Sequence, residues 1–266
     1  MELKSKIRAK IVENTMLSED VFSMWIEVGK IAKTTLPGQF VSLYTRDGSR
    51  LLPRPISICE IDRENEKLRL VYRVVGEGTA EFARLVPDLD NIEIVGSLGK
   101  GFPMDKVGNS VLLFGGGIGI PPLLETAKEL KSRGKMATVI LGYRTNDTFL
   151  VEDFEKYAEV IIATDDGSLG CKGTVIDVAN ELEAAEKYGV TDIFSCGPMP
   201  MLRGVKEYGE SRNIPTYISL EERMACGIGV CLGCVCESKE VDHHSNVTNK
   251  RVCKDGPVFL STEVII

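Results

Sequence analysis

The sequence is poor in aromatic residues and histidine, and it contains no long apolar segment. Aromatic residues make up 6% of its 266 residues, with one tryptophan and two histidines. No segment approaches the ~18 consecutive apolar residues that span a bilayer, and the first residues lack the apolar stretch of a secretory signal. Basic residues number 32 against 39 acidic ones, whereas nucleic-acid binders present a basic face. We therefore expect a cytoplasmic chain that binds neither membrane nor nucleic acid.

Groups that would act directly on an organic substrate are also scarce. The two histidines, His243 and His244, are adjacent in a polar stretch, where we expect them to be solvated rather than to bind metal. No Ser-His-Asp set or pair of carboxylates indicates nucleophilic or acid–base catalysis. The sequence therefore predicts no catalytic residues here and places substrate chemistry in another protein.

Cysteine, in contrast, is abundant. Five of the eight cysteines fall within residues 226–253. Thiols stay reduced in the cytoplasm, so this crowding indicates a metal site rather than disulfides.

The spacing of the clustered cysteines is that of a plant-type [2Fe–2S] site. Cys226, Cys231 and Cys234 form C-x4-C-x2-C, and Cys253 supplies a distant fourth thiol. Glycines between them suit a loop whose N–H groups approach sulfur. Structural zinc is the alternative, although zinc sites usually pair two C-x2-C units. Cys236 falls outside the spacing, and we interpret it as a buried thiol.

Residues 1–100 have the composition of an all-β unit. Segments rich in β-branched residues, with partial alternation, are separated by turn signals, and one short helix is expected at 79–86. This pattern predicts a β-sandwich or barrel. The predicted strands are residues 21–28, 39–45, 55–61 and 67–75.

Residues 101–220 alternate between short apolar runs and helical spacing, which predicts an α/β unit with a parallel sheet. Residues 221–266 form a third unit with the cysteines, the polar stretch 237–250, which could be a hairpin, and a strand-like end at 258–266. The predicted strands of the second unit are 111–114, 136–142, 159–164 and 192–195, and its helices are 122–133, 174–188 and 198–212.

Two motifs in the first unit suit a flavin nucleotide. Arg54-Pro55-Ile56-Ser57 starts a predicted strand and combines a forked cation for phosphate with a hydroxyl donor. Val71-Tyr72-Arg73 is followed by Gly78-Thr79 at a helix start, where N–H groups bind anions. The alternatives are a surface arginine beside a turn proline, and simple helix capping. The motifs are more specific in combination than alone.

Two further motifs suit a nicotinamide nucleotide. Gly115-Gly116-Gly117-Ile118-Gly119 joins a strand to a helix, where glycines let a diphosphate approach the backbone. It is not the G-x-G-x-x-G fingerprint, because position 120 is isoleucine. Cys196-Gly197-Pro198 ends the strand 192–195, at the expected ligand-binding edge. The alternatives are a tight turn without ligand and a buried cysteine before a helix-starting proline.

In this order the motifs resemble the ferredoxin–NADP reductase superfamily over residues 1–220. Residues 222–234 and 252–259 resemble the electron-transfer subunits of type B, NAD-dependent dihydroorotate dehydrogenase. The resemblance implies a β-barrel FAD-binding domain at 1–100, an α/β NAD-binding domain at 101–220 and a small [2Fe–2S] domain at 221–266. It also implies an FMN-containing partner that oxidises dihydroorotate in pyrimidine (UMP) biosynthesis, in a heterotetramer of two plus two.

Residue roles follow from the same resemblance. FAD would be bound by Arg54, Pro55, Ile56, Ser57, Val71, Tyr72, Arg73, Gly78 and Thr79. NAD(H) would be bound by Gly115, Gly116, Gly117, Gly119, Cys196, Gly197 and Pro198. The cluster would be ligated by Cys226, Cys231, Cys234 and Cys253. Because an electron exit at the surface needs a docked partner, and not from the resemblance, we also expect an apolar contact surface at Met224, Ile228, Val230 and Leu232. The alternative is that these side chains seal the cluster from water.

Two other functions stay open. Subunits of NADH-dependent ferredoxin–NADP reductases or sulfide dehydrogenases are similar, but that resemblance implies aspartate at the first cluster position, where this chain has Cys226. The second alternative is a redox-sensing or interaction module without turnover. The complete flavin and nucleotide motifs argue against it. No residue decides between NADH and NADPH.

Overall fold

A computed structural model describes residues 6–241 and 246–266, so His243 and His244 lie outside the described residues. Six strands form the first unit: β1 (Lys6–Ser18), β2 (Val21–Glu27), β3 (Phe40–Tyr44), β4 (Arg54–Asp62), β5 (Lys67–Arg73) and β6 (Asn91–Leu98). They close an antiparallel barrel in the order β1-β2-β5-β4-β3-β6. A four-residue helix, α1 (Ile31–Thr34), precedes β3, and α2 (Glu77–Ala83) follows β5.

Alternation along each strand decides which side chains fill the barrel. On β5, Leu68, Leu70 and Tyr72 are buried inside, whereas Val71 packs outward against the second sheet. β1 and β6 were absent from the predicted strands, since their outward positions carry many charged and polar residues. α2 begins two residues before the predicted start at 79, so Gly78 and Thr79 lie in its first turn.

The second unit is built around a seven-stranded sheet. Its elements are β7 (Ser110–Gly116), α3 (Pro122–Ser132), β8 (Met136–Tyr143), α4 (Val151–Glu155), β9 (Glu159–Thr164), β10 (Cys171–Lys172), α5 (Val175–Glu181), α6 (Ala184–Lys187), β11 (Asp192–Cys196), α7 (Met199–Ser211), β12 (Thr216–Ser219) and β15 (Val258–Leu260). The strand order is β10-β9-β8-β7-β11-β12-β15, in which the first six strands are parallel and β15 is antiparallel to β12.

Two predictions for this part of the chain need correction. The predicted helix 174–188 is two helices, because Glu183 adopts a φ of +48° between α5 and α6. The strand-like end 258–266 forms only the three residues of β15, which lie beside β12 at the sheet edge. The cysteine-rich tail is therefore attached to the second sheet rather than separate from it.

The remaining tail elements hold the cysteine loop. β13 (Val235–Glu237) pairs with β14 (Asn249–Arg251), so the polar stretch joins the two strands of an antiparallel pair. Helix α8 (Val252–Asp255) follows directly. None of the helices in the described part of the chain is long and apolar enough to cross a membrane.

A buried carboxylate links the barrel to the second unit. Glu125 of α3 is 1% exposed and accepts hydrogen bonds from the Ile61 N–H at 2.8 Å and from Arg63 at 3.1 Å. Lys128 lies 3.6 Å away. Burial raises the pKa of Glu125. Lys128, the Ile61 N–H and Arg63 each lower this pKa and so offset part of the increase. The two units are thus joined by polar as well as apolar contacts.

Candidate cofactor sites

Arg54 and Gly78, 24 residues apart in the chain, are in direct contact. A methyl group placed on Gly78 would lie 2.3 Å from Arg54 Nε and 2.6 Å from Cζ, so the guanidinium covers the first turn of α2. Arg54 Nη1 donates to Leu52 O, and among the described residues Arg54 has no ion pair. Arg50, in contrast, pairs with Glu81 at 2.8 Å. The guanidinium of Arg54 therefore has donors left for a phosphate.

Two of the predicted flavin residues have internal roles. Thr79 Oγ1 accepts hydrogen bonds from the Val75 and Gly76 N–H groups and donates to Gly76 O, so its hydroxyl caps its own helix. Tyr72 lies in the barrel core and donates to Asn14 Oδ1 at 3.3 Å. Burial raises the pKa of Tyr72. At both positions the backbone, rather than the side chain, is left to contact a ligand.

The other predicted flavin residues line up across neighbouring strands. Ser57 of β4 pairs with Phe40 of β3, and Pro55 pairs with Ser42. Arg73, at the end of β5, lines a cleft between the barrel and the second sheet. Val71 packs into the apolar core shared by the two units. The flavin motifs therefore extend from the outside of the barrel to this cleft.

The cleft lies at the carboxyl ends of the parallel strands and has a volume of about 1010 Å³. This is the edge where ligands bind in open α/β sheets. Five of the residues predicted to bind NAD(H) line this cleft: Gly116, Gly117, Gly119, Gly197 and Pro198. Gly115 and Cys196 lie behind this wall, buried and paired with each other across β7 and β11.

The glycines let the two nucleotide motifs pack against each other. A methyl group on Gly119 would lie 2.5 Å from the Cys196 carbonyl and from Gly197 Cα. Gly117 has a φ of +52° with open space around it. The Cys196 thiol is fully buried, which raises its pKa, although Ser219 partly opposes this. The arrangement is a backbone-lined surface suited to a diphosphate.

The four spaced cysteines meet as two pairs. Cys231 Sγ lies 3.2 Å from Cys226 Sγ, and the Cys253 N–H donates to Cys234 Sγ at 3.4 Å. Within the described residues no three His, Cys, Asp or Glu side chains are grouped as ligands of one metal ion. Two such pairs would supply the two terminal thiolates that each of two bridged irons takes.

Electrostatics in the loop favour a bound cationic centre. Burial would raise the pKa of Cys226, but backbone N–H groups, first that of Cys231 and then that of Ile228, lower it to about 6. Burial and the neighbouring Cys234 thiol raise the pKa of Cys253 to about 12. Thiolates paired in this way become stable together only when metal ions supply positive charge.

A buried arginine that the sequence patterns did not indicate supports the loop. Arg251 is 4% exposed, donates to Gly229 O at 3.0 Å and contacts Asp255 at 3.3 Å. The Gly229 N–H in turn points at Cys253 Sγ at 3.1 Å, with a φ of +81° at Gly229. The one sequence feature that could have indicated Arg251 is its position two residues before Cys253.

The fifth tail cysteine, Cys236, has a backbone carbonyl rather than a thiol as its hydrogen-bond partner. Cys236 Sγ donates to Lys250 O at 3.5 Å across the β13–β14 pair. Burial raises its pKa to about 11. This environment favours a neutral structural thiol.

The loop also exposes apolar side chains. Ile228, Val230 and Leu232 are 49%, 79% and 55% exposed, and each is next to a loop glycine in the chain. Met224 is half-buried and packs in the apolar cluster beneath the loop. An apolar rim of this kind beside a redox site is typical of a protein–protein interface.

Comparisons with known proteins agree with this arrangement. A family model described as the iron–sulfur cluster binding domain of dihydroorotate dehydrogenase B matches residues 221–265. The chain is 42% identical to the electron transfer subunit of dihydroorotate dehydrogenase B (NAD(+)) of Fusobacterium nucleatum, over 96% of this chain and 97% of the relative. The subunit of the same name from Geobacillus thermodenitrificans is 39% identical, over 97% and 98%. A solved structure of NADH-dependent reduced ferredoxin-NADP oxidoreductase matches with a TM-score of 0.84 and 30% identity, over 97% of this chain and 89% of that chain.

Proposed function

We propose a function that proceeds from one premise: this chain belongs to the family of electron transfer subunits of dihydroorotate dehydrogenase B (NAD(+)). It moves electrons between NAD(H) and a dihydroorotate-oxidising catalytic subunit through FAD and an iron–sulfur cluster, as part of pyrimidine biosynthesis. The observation that carries this proposal is the meeting of the four spaced cysteines as two pairs on the barrel side of the nucleotide-binding sheet.

FAD, NAD(H) and the cluster would be bound by the three units expected from the sequence, 1–100, 101–220 and 221–266, of which the third is joined to the second through β15. Bound FAD would exchange a two-electron hydride for single electrons, which the cluster can carry. Arg54 supports this role because its guanidinium, which has no ion pair among the described residues, lies over the backbone at Gly78, where it would bind a phosphate. Cys226 and Cys231 would bind one iron, and Cys234 and Cys253 the other.

The nucleotide would lie in the cleft between Arg73 and the Gly115–Gly119 turn. NAD(H) is favoured over NADP(H) because the charged residues that line the cleft are six acids and two arginines, which disfavours an additional phosphate. Gly117 and Gly197 would let the diphosphate approach the backbone. Cys196, buried behind Gly119, would position these turns rather than exchange protons.

The partner would bind over the cysteine loop. We infer an FMN-containing catalytic subunit in a heterotetramer of two plus two, contacting Ile228, Val230 and Leu232, which lie beside the ligand cysteines. A one-electron exit at the surface is useful only where an acceptor protein covers it. We place the complex in the cytoplasm, a reducing compartment suited to eight unbridged thiols.

Cofactor analysis and turnover together test the proposal. The purified chain should contain about one FAD, two irons and two labile sulfides, and it should reduce an artificial acceptor with NADH. It should not oxidise dihydroorotate until the catalytic subunit is added. Zinc in place of iron in anaerobically prepared protein, or dihydroorotate turnover by the isolated chain, would contradict the proposal.

A subunit of an NADH-dependent ferredoxin–NADP reductase or sulfide dehydrogenase is the second candidate, and the overall likeness to one such solved structure favours it. Cys226 at the first ligand position argues against it, because we expect aspartate there in those subunits. Co-purification distinguishes the two, since each candidate requires a different partner.

A further inference from the structure

The buried hydroxyl of Ser42 has no hydrogen-bond partner among the residues that the structure describes. Ser42 lies on β3 and is 1% exposed, and its Oγ is a buried polar atom without a partner. Across the β3–β4 ladder it faces Pro55, which has no backbone N–H. A buried hydroxyl that loses its hydrogen bonds to water and gains none in return is destabilising. This cost points to an acceptor that is supplied by a bound group.

Ser42 faces the cysteine loop at Gly227, the residue that follows its first cysteine. A methyl group placed on Gly227 would lie 2.8 Å from Ser42 Oγ, so the backbone of the loop passes directly over the hydroxyl. Gly227 has a φ of +66° and follows Cys226 in the chain. Phe40, on the same face of β3, packs in one apolar cluster with Cys234. This face of the barrel is therefore the one that the cysteine loop covers.

We propose that Ser42 donates a hydrogen bond to a sulfur of the iron–sulfur centre, either the Cys226 thiolate or a bridging sulfide, and thereby raises its reduction potential. The inference rests on the proposed function. A hydrogen bond to a cluster sulfur stabilises the more negative, reduced state, which makes reduction easier. Since β4, beside Ser42, carries the flavin motif, the hydroxyl lies between the two proposed cofactor sites and adjusts the free energy of electron transfer between them.

The experiment compares reduction potentials in the intact, cofactor-loaded chain. Ser42→Ala removes the donor with little change in volume, and the cluster and flavin potentials are measured in one titration followed by EPR and visible absorbance. The matched control is Ser195→Ala on β11, since Ser195 is 0% exposed and its hydroxyl also has no partner among the described residues. We expect Ser42→Ala alone to shift the cluster potential to a more negative value, with iron content unchanged.

Other results would overturn the inference. These are an unchanged cluster potential in Ser42→Ala, an equal shift in Ser195→Ala, and a shift confined to the flavin. If Ser42→Ala lost its iron, Ser42→Thr and Ser42→Val would replace it, because they share a shape and differ in the hydroxyl. Equal potentials in that pair would overturn the inference, and a more negative potential in valine would support it. Absence of a cluster from the unsubstituted chain would overturn the proposed function and this inference with it.

Discussion

Replacing Arg54 with alanine tests whether this side chain binds the phosphates of FAD. The guanidinium has no ion pair among the described residues and lies against Gly78. Hydrogen bonds from a charged donor contribute about 1.5–3 kcal/mol. Because about 1.4 kcal/mol of binding free energy changes a dissociation constant tenfold, Arg54→Ala should bind FAD about 10- to 100-fold more weakly.

Gly78→Ala should produce the same loss without touching the charge. Its added methyl group would lie 2.3 Å from Arg54 Nε, so the guanidinium must move away from the helix start. Alanine is a better helix former than glycine, so the helix itself should not weaken. If both changes act through the position of one guanidinium, the double variant should bind FAD no more weakly than the weaker single variant.

The assay is titration of the deflavinated chain with FAD, followed by flavin fluorescence. Arg50→Ala is the matched control, because Arg50 lies on the same segment but is engaged in ion pairs with Glu77 and Glu81. It should change FAD affinity little. Equal affinity in Arg54→Ala and in the unsubstituted chain would refute the role of Arg54, and additive losses in the double variant would refute the shared mechanism.

Three further predictions follow from the other contacts. Cys231→Ser should lose the cluster absorbance while Cys236→Ser keeps it, and the reverse result would mean that the ligand set is wrong. Leu232→Asp should abolish co-purification with the catalytic subunit while the cluster spectrum persists; loss of the spectrum would show that Leu232 seals the cluster instead. Glu125→Ala should lower the free energy of unfolding by about 1–3 kcal/mol in denaturant titrations, because the Ile61 N–H loses its acceptor. Glu125→Gln, which keeps an acceptor oxygen, should lose less, and equal losses would contradict this.

The family and its chemistry were readable from the sequence because they depend on residue type and spacing. C-x4-C-x2-C with a distant cysteine is specific to few metal centres, and the alternation of apolar runs with helical segments predicted the parallel sheet. The predicted strand 159–164 coincides with β9 (Glu159–Thr164). Secondary structure of this kind depends mainly on neighbouring residues in the chain, so a local sequence pattern is enough to predict it.

Contacts between distant segments were decided only by the tertiary structure. The sequence placed Tyr72 beside Arg73 in one motif, but strand alternation directs Tyr72 into the barrel and Arg73 to the cleft. Arg251 and Ser42 belonged to no recognised motif, because their roles depend on which backbone passes over them. The spacing of the cysteines determined that a cluster loop exists, while packing of β15 against β12 and of Gly227 over the barrel decided where it lies.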